Sequence, residues 1–144
     1  MKCKDVMRKA VHFAVPDLSI QSAALLMADT DVGFLPVCDD GLHVWGVITD
    51  RDIVVRVCAM GCAPATTLVK DAMTREVLAC RPDDSLDRAE ELMEQNRKSR
   101  ILVTDEQAKL LGVISLSDIA LVERPGRAGK TLRRVASREA NAAR

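Results

Sequence analysis

The chain has no tyrosine, one tryptophan and two phenylalanines in 144 residues. So little aromatic surface excludes the stacking platforms that usually hold single-stranded nucleic acid. It also forces any core to be aliphatic and methionine-rich. Net charge is lacking too, with 21 Lys and Arg against 21 Asp and Glu. The balance is uneven along the chain. Residues 123–144 hold 7 basic and 2 acidic side chains, and residues 1–122 hold 14 and 19. A mildly acidic body with a basic tail argues against a nucleic-acid-binding domain. No apolar run approaches the ~20 residues a bilayer requires, and the N-terminus lacks the charged-then-apolar pattern of a signal peptide. A cytoplasmic protein without a membrane partner is expected. Cys3, Cys38, Cys58, Cys62 and Cys80 form an odd set, read as reduced and mostly buried thiols. Closely spaced Cys/His doublets are missing, so no zinc site is expected. His12 and His43 have no nucleophile at motif spacing, so neither catalytic residues nor an enzyme is expected.

What the chain does have is a duplication. Residues 4–53 align with 70–119 at a constant offset of 66 and without a gap, giving 17 identities in 50 positions. Such self-similarity outranks any single motif. The identities include Lys4/Lys70, Asp5/Asp71, Met7/Met73, Pro16/Pro82, Ser19/Ser85, Met27/Met93, Gly46/Gly112 and Asp52/Asp118. Repeat 1 is assigned to residues 1–60, a linker to 61–69, repeat 2 to 70–122 and a basic tail to 123–144.

Each copy reads the same way. A short helical entry (Asp5-Val6-Met7; Asp71-Ala72-Met73) leads to a short strand near 11–15 or 77–80. Pro16-Asp17-Leu18-Ser19 and Pro82-Asp83-Asp84-Ser85 are turn-and-cap signals. The next helix has apolar positions Ile20, Ala23, Ala24 and Met27, or Leu86, Ala89, Leu92 and Met93, all at helical spacing. A hairpin follows: Phe34–Cys38 with Val44–Ile48, and Ile101–Val103 with Leu110–Ile114. Closing helices are expected over 50–60 and 116–122, the second stopped before Pro125. The fold class is α+β, with two strand–helix–strand–strand–helix copies. A unit of about 50 residues is small for an independent core, so the copies are expected to pack sheet to sheet with helices outside. The tail is read as frayed or loosely helical. Its Gly126-Arg127-Ala128-Gly129-Lys130-Thr131 fails as a phosphate loop, because Arg124 stands where the first glycine belongs and no strand precedes it.

The most informative stretch is Gly112-Val113-Ile114-Ser115-Leu116-Ser117-Asp118, with its copy Gly46-Val47-Ile48-Thr49-Asp50-Arg51-Asp52. A glycine enters a buried strand and allows another group to come close. A hydroxyl then stands at an N-cap and a carboxylate at the third helical position. Capping alone explains one such corner. Two in register, each after Gly-Val-Ile, also suit ribose hydroxyls, with a helix N-terminus nearby for an anion.

These corners, the strand Phe34-Leu35-Pro36-Val37-Cys38-Asp39 and the duplication resemble a tandem pair of CBS domains, a Bateman module, over residues 1 to about 122. The first corner resembles that of small stand-alone bacterial CBS-pair proteins, and the second a corner in the gamma subunit of AMP-activated kinase. The resemblance implies pseudo-twofold symmetry and two clefts between the repeats. Such clefts commonly hold AMP, ADP, ATP or S-adenosylmethionine as a regulatory ligand, with no catalytic cofactor. It assigns Asp52 and Asp118 to ribose hydroxyls, and Thr49 and Ser115 to ribose or phosphate. Arg100 fits the place of a phosphate-binding residue, with Arg97 and Lys98 beside it, where the first copy has Phe34 after Gly33. Val11, Phe13, Val77 and Ala79 are candidates for the adenine surface. It also implies a homodimer and an unidentified effector protein as listener. The cleft owning Asp118 and Arg100 is expected to be the better nucleotide site. Two rival readings stand beside this one: a structural dimerisation module that has lost ligand binding, and a redox-responsive protein using its cysteines.

Overall fold

The structure is a computed structural model that describes residues 1–142, with side chains through Ser137. The chain folds into two compact units, and their composition is not that of two consecutive blocks. One unit comprises Met1–Val11, Leu78–Gln107 and residues from Leu111 onward; the other comprises His12–Val77 with Ala108–Leu110. The entry segment of each repeat thus completes the unit built around the other repeat.

The unit built on repeat 1 starts at a bridge rather than a strand, since Ala14 alone pairs with Val37. The expected strand over 11–15 reduces to this single contact. Helix α2 (Ile20–Thr30) follows, capped by Ser19, whose hydroxyl accepts from the Ser22 amide. Ile20, Ala23 and Met27 are buried, but Ala24 faces outward, so the apolar face is narrower than expected. Strands β1 (Phe34–Cys38) and β2 (Val44–Thr49) pair antiparallel, with a register shift between Val37 and Cys38. Helix α3 (Asp50–Ile53) continues as a π-helical turn, Val54–Cys58. The unit is completed by α4 (Val69–Ala72), from the start of the second repeat. Ile20, Leu35, Val37, Ile48, Val57, Val69 and Met73 share one core.

The other unit repeats this plan with the segments exchanged. Helix α1 (Cys3–Val6) comes from the first repeat. Strand β3 (Ala79–Cys80) runs parallel to β4 (Arg100–Thr104), which neighbours β5 (Leu110–Ser115). Helices α5 (Leu86–Asn96) and α6 (Leu116–Val122) complete the repeat. Cys3, Leu86, Met93, Ile101, Val103, Ile114 and Ile119 form the core, with Met7 packed against it. Each fully buried aliphatic side chain contributes roughly 1.5–3 kcal/mol. The exchange is marked by equivalent ion pairs: Lys4 meets Asp83 at 2.8 Å, and Lys70 meets Asp17 at 2.8 Å.

Of the two forms expected for the tail, frayed or loosely helical, the helical one is found, and it is docked rather than loose. It forms a continuous helix, α7 (Pro125–Ala142), docked on α5. Pro125 stands at the first helical position, where its missing N–H costs nothing. Thr131 and Val135 are buried. Arg127 pairs with Asp87 and Glu90, and Arg134 with Glu94, so the basic face of the tail meets an acidic face of α5. Burial pushes the Glu90 carboxyl above its ordinary range, against the pull of Thr131 and Arg127. Residues 143–144, the end of the expected tail, lie outside the described residues. No described helix is long and apolar enough to cross a membrane.

Candidate functional site

Both corners form as the sequence anticipates. Thr49 ends β2 and caps α3; Ser115 ends β5 and caps α6. Each closes a reciprocal capping box with its aspartate. The Thr49 amide donates to Asp52 Oδ2 at 3.0 Å, and the Asp52 amide to Thr49 Oγ1 at 3.1 Å. The Ser115 amide donates to Asp118 Oδ2 at 2.9 Å, and the Asp118 amide to Ser115 Oγ at 3.2 Å. The Ser115 hydroxyl also donates to Asp118 Oδ2, at 2.6 Å.

The group that approaches each glycine is the chain's own backbone. A Cβ on Gly46 would lie 2.4 Å from the Thr74 carbonyl oxygen, and one on Gly112 would lie 2.8 Å from that of Arg8. Thr74 bridges Val47, and Arg8 bridges Val113, both antiparallel. The exchanged entry segments therefore lie along the glycine strands, and they deliver a side chain to each carboxylate.

Those side chains differ. Arg8 Nε donates to Asp118 Oδ1 at 2.6 Å. Thr74 Oγ1 lies 3.3 Å from both Asp52 oxygens, and Arg56 Nη2 lies 3.8 Å from Asp52 Oδ1. Arg56 also donates through Nη1 to the carbonyls of Ala72 and Met73, closing the C-terminal end of α4. The Asp118 side chain is 8% exposed and that of Asp52 is 13% exposed. Burial opposes charge on Asp118, but the hydrogen bonds from Ser115 and Arg8 outweigh it and hold the carboxyl below its ordinary range.

The helix-to-strand loops reach the corners through equivalent bonds. The Leu116 amide donates to the Ser99 carbonyl, and the Asp50 amide to the Gly33 carbonyl, both at 3.0 Å. The first bond ties to the Ser115 corner the loop that carries the exposed Arg97 and Lys98, with the exposed Arg100 opening β4 just after it. In the first repeat Asp31, Val32 and Phe34 take their places, and Asp50 opens α3 at the Thr49 corner. Among the adenine candidates, Val11 and Ala79 belong to the unit that holds Asp118, and Phe13 and Val77 to the unit that holds Asp52. All four are half-buried.

Arg8, Thr74, Arg56, Asp31 and Asp50 were not among the sequence candidates. Arg8 and Thr74 occupy equivalent positions in the repeat, but they matter at these carboxylates only because the entry segments are exchanged. An offset of 66 relates Asp31 to Arg97, which was the available signal for their opposite charges.

A glycine-strand corner with a capping aspartate, completed by an exchanged entry segment, thus occurs twice and defines a tandem module. The CBS domain family model matches residues 3–58 and 69–123. The chain belongs to the CBS-domain family as a tandem pair with an α+β fold. It is similar to the CBS domain-containing protein YhcV of Bacillus subtilis, with 37% identity over 118 residues, 82% of each chain. Hypoxic response protein 1 of Mycobacterium tuberculosis is 29% identical over 117 residues, 81% of each chain. A crystal structure of Hypoxic Response Protein I with two coordinated zinc ions aligns with a TM-score of 0.78 at 27% identity, over 86% of this chain and 100% of that one. The CBS domain pair of protein MJ0100, in complex with 5-methylthioadenosine and S-adenosyl-L-methionine, has a TM-score of 0.74 at 24% identity, over 85% and 94% of the two chains, a likeness of fold.

Proposed function

We propose that this CBS pair is a non-enzymatic sensor that binds an adenosine-containing ligand at its Asp52 and Asp118 corners and signals to an effector protein. One observation carries the reading: two buried-strand corners each hold a carboxylate and a hydroxyl side by side at a helix N-terminus, in the same register. Ribose hydroxyls can donate to such a carboxylate, and phosphate favours the helix N-terminus. Thr49 and Ser115 border ribose or phosphate, and Arg97, Lys98 and Arg100 receive phosphate. Val11, Phe13, Val77 and Ala79 supply apolar surface to adenine. A ribose at Asp118 competes with Arg8, and the displaced guanidinium is then available to phosphate.

The Asp118 corner is the site for a phosphate-bearing ligand such as AMP, ADP or ATP. The Asp52 corner, with Asp31 and Asp50 nearby, suits a less anionic one such as S-adenosylmethionine. The protein acts as a homodimer, and exposed Val54, Val55 and Met60 are apolar side chains available to a second copy. Its five free thiols fit a cytoplasmic setting.

Titration calorimetry with AMP, ATP, S-adenosylmethionine and 5-methylthioadenosine tests the reading. Asp118→Ala should weaken AMP binding by a factor of roughly 10–100, from a charge-assisted bond of about 1.5–3 kcal/mol, and Asp52→Ala should leave AMP binding nearly unchanged. Equal losses would remove the ranking. No binding by any of the four ligands favours a structural dimerisation module of the same fold.

A further inference from the structure

Away from both corners, three carboxylates converge where the tail docks. Asp87 lies in the first turn of α5, Glu90 one turn later, and Glu123 between α6 and α7. Each offers an oxygen, and the three oxygens lie within 4.8 Å of one another. The cluster is more than a solvated acidic patch. The Glu90 side chain is only 5% exposed, and its Oε1 is buried without a hydrogen-bond partner among the described residues. Its other oxygen is well used: Thr131 Oγ1 donates to Oε2 at 2.9 Å, and Arg127 Nε lies 3.4 Å away. Arg127 also pairs with Asp87. One guanidinium thus faces three carboxylates, and a buried oxygen with free lone pairs is a costly thing to leave unfilled.

We propose that Asp87, Glu90 and Glu123 bind an oxygen-preferring divalent cation of the Ca²⁺ or Mn²⁺ class, fastening the C-terminal helix to the second repeat. The donor set decides the class. All three donors are carboxylates, with no imidazole or thiolate among them, which suits hard cations rather than zinc. A divalent ion cancels the charge that Arg127 leaves uncompensated and gives the buried Oε1 a partner. The remaining coordination positions belong to water. Because Asp87 is exposed and Glu123 half-buried, the affinity is expected to be modest, with Kd of about 10⁻⁴–10⁻³ M as in weak Ca²⁺ modules. The motif is invisible in the sequence because Glu123, at the end of α6, is far along the chain from Asp87 and Glu90 and meets them only in the fold.

The test is calorimetric titration of the full chain with CaCl₂, MnCl₂, MgCl₂ and ZnCl₂, with thermal melts alongside. Saturable one-site binding of Ca²⁺ or Mn²⁺ is expected. Asp87→Asn and Glu123→Gln, both away from the deep core, should each weaken it about tenfold with unchanged circular dichroism. Arg127→Gln should tighten binding, because it removes the competing positive charge; a purely structural cluster would only lose stability. The proposal is overturned if wild type and Arg127→Gln both fail to bind, or if the Asp87→Asn/Glu123→Gln double variant binds as well as wild type. It is equally overturned if acid alone stabilises the tail and no cation is taken up, since Glu90 is then neutralised by a proton.

Discussion

Asp31 and Arg97 stand at the same place in the two repeats, each in the left-handed conformation just past a helix, with φ of 54° and 52°. One is an acid and the other a base. The backbone equivalence recurs at Leu42 and Ala108, with φ of 63° and 61°. The repeats have kept their main-chain path, including conformations that side chains other than glycine rarely adopt, while their corners have diverged in charge. At the first corner Asp52 meets Thr74 and Arg56, and the loop and helix start beside it carry Asp31 and Asp50. At the second Asp118 meets Arg8, and the segment bonded to that corner carries Arg97, Lys98 and Arg100. On the function proposed above, a shared frame would position ribose at both corners, and the local charge would select what is attached to it.

The largest difference should appear in stability. Both glycines face a backbone carbonyl, but a Cβ at Gly46 meets that of Thr74 at 2.4 Å, closer than the 2.8 Å between one at Gly112 and that of Arg8. Gly46→Ala should cost about 1–3 kcal/mol and Gly112→Ala less, read as urea midpoints at constant slope. Equal losses would mean that the two entry segments fit equally tightly. Next comes charge selection. Arg97→Asp should weaken AMP binding about fivefold to tenfold, about 1–1.4 kcal/mol, and Asp31→Arg should improve the binding of phosphate-bearing ligands at the first corner. If neither substitution moves affinity, the charge contrast does not select the ligand.

A smaller effect concerns acid. Asp118 is held below its ordinary value of 3.8, so the folded state carries fewer protons than the unfolded chain across that interval. Its contribution to stability is therefore present above the ordinary value of 3.8 and is lost as pH drops through the lower, folded one. Asp118→Asn should flatten this acid limb, and Arg8→Ala should shift it upward, while the Thr74→Ala variant leaves it nearly unchanged. The smallest contrast is chemical. Cys58 and Cys62 are exposed and should react with a thiol reagent within the dead time of labelling the native protein. Cys38 is buried, and burial pushes its thiol up to about 11, so it should label only on unfolding.

Much of this was legible before the structure. The hairpin Phe34–Cys38 with Val44–Thr49 differs from its expected bounds by one residue. The caps at Ser19, Ser85, Thr49 and Ser115 all form, because each is a local bargain between a side chain and nearby amides. What the sequence could not show was long-range. A duplication reveals that two entry segments are equivalent but not which repeat each completes, and so Arg8 was overlooked. The firmness of helix α7, read only as frayed or loosely helical, was hidden for another reason: Gly126 and Gly129 depress local propensity, and its ion pairs with α5 are contacts that a local reading does not register.

The exchange of entry segments has a consequence for how the chain is made. The unit that starts at His12 has nearly all of its residues once Val77 has left the ribosome. The other unit needs Met1–Val11, yet its partner strands and helices are the last to be synthesised. Domains fold as they emerge, N-terminal first, and contacts between distant residues form late. Met1–Val11 must therefore wait, unplaced, until the second repeat has been made. Cleaving them off would spare the unit that folds first and leave the later one unfinished.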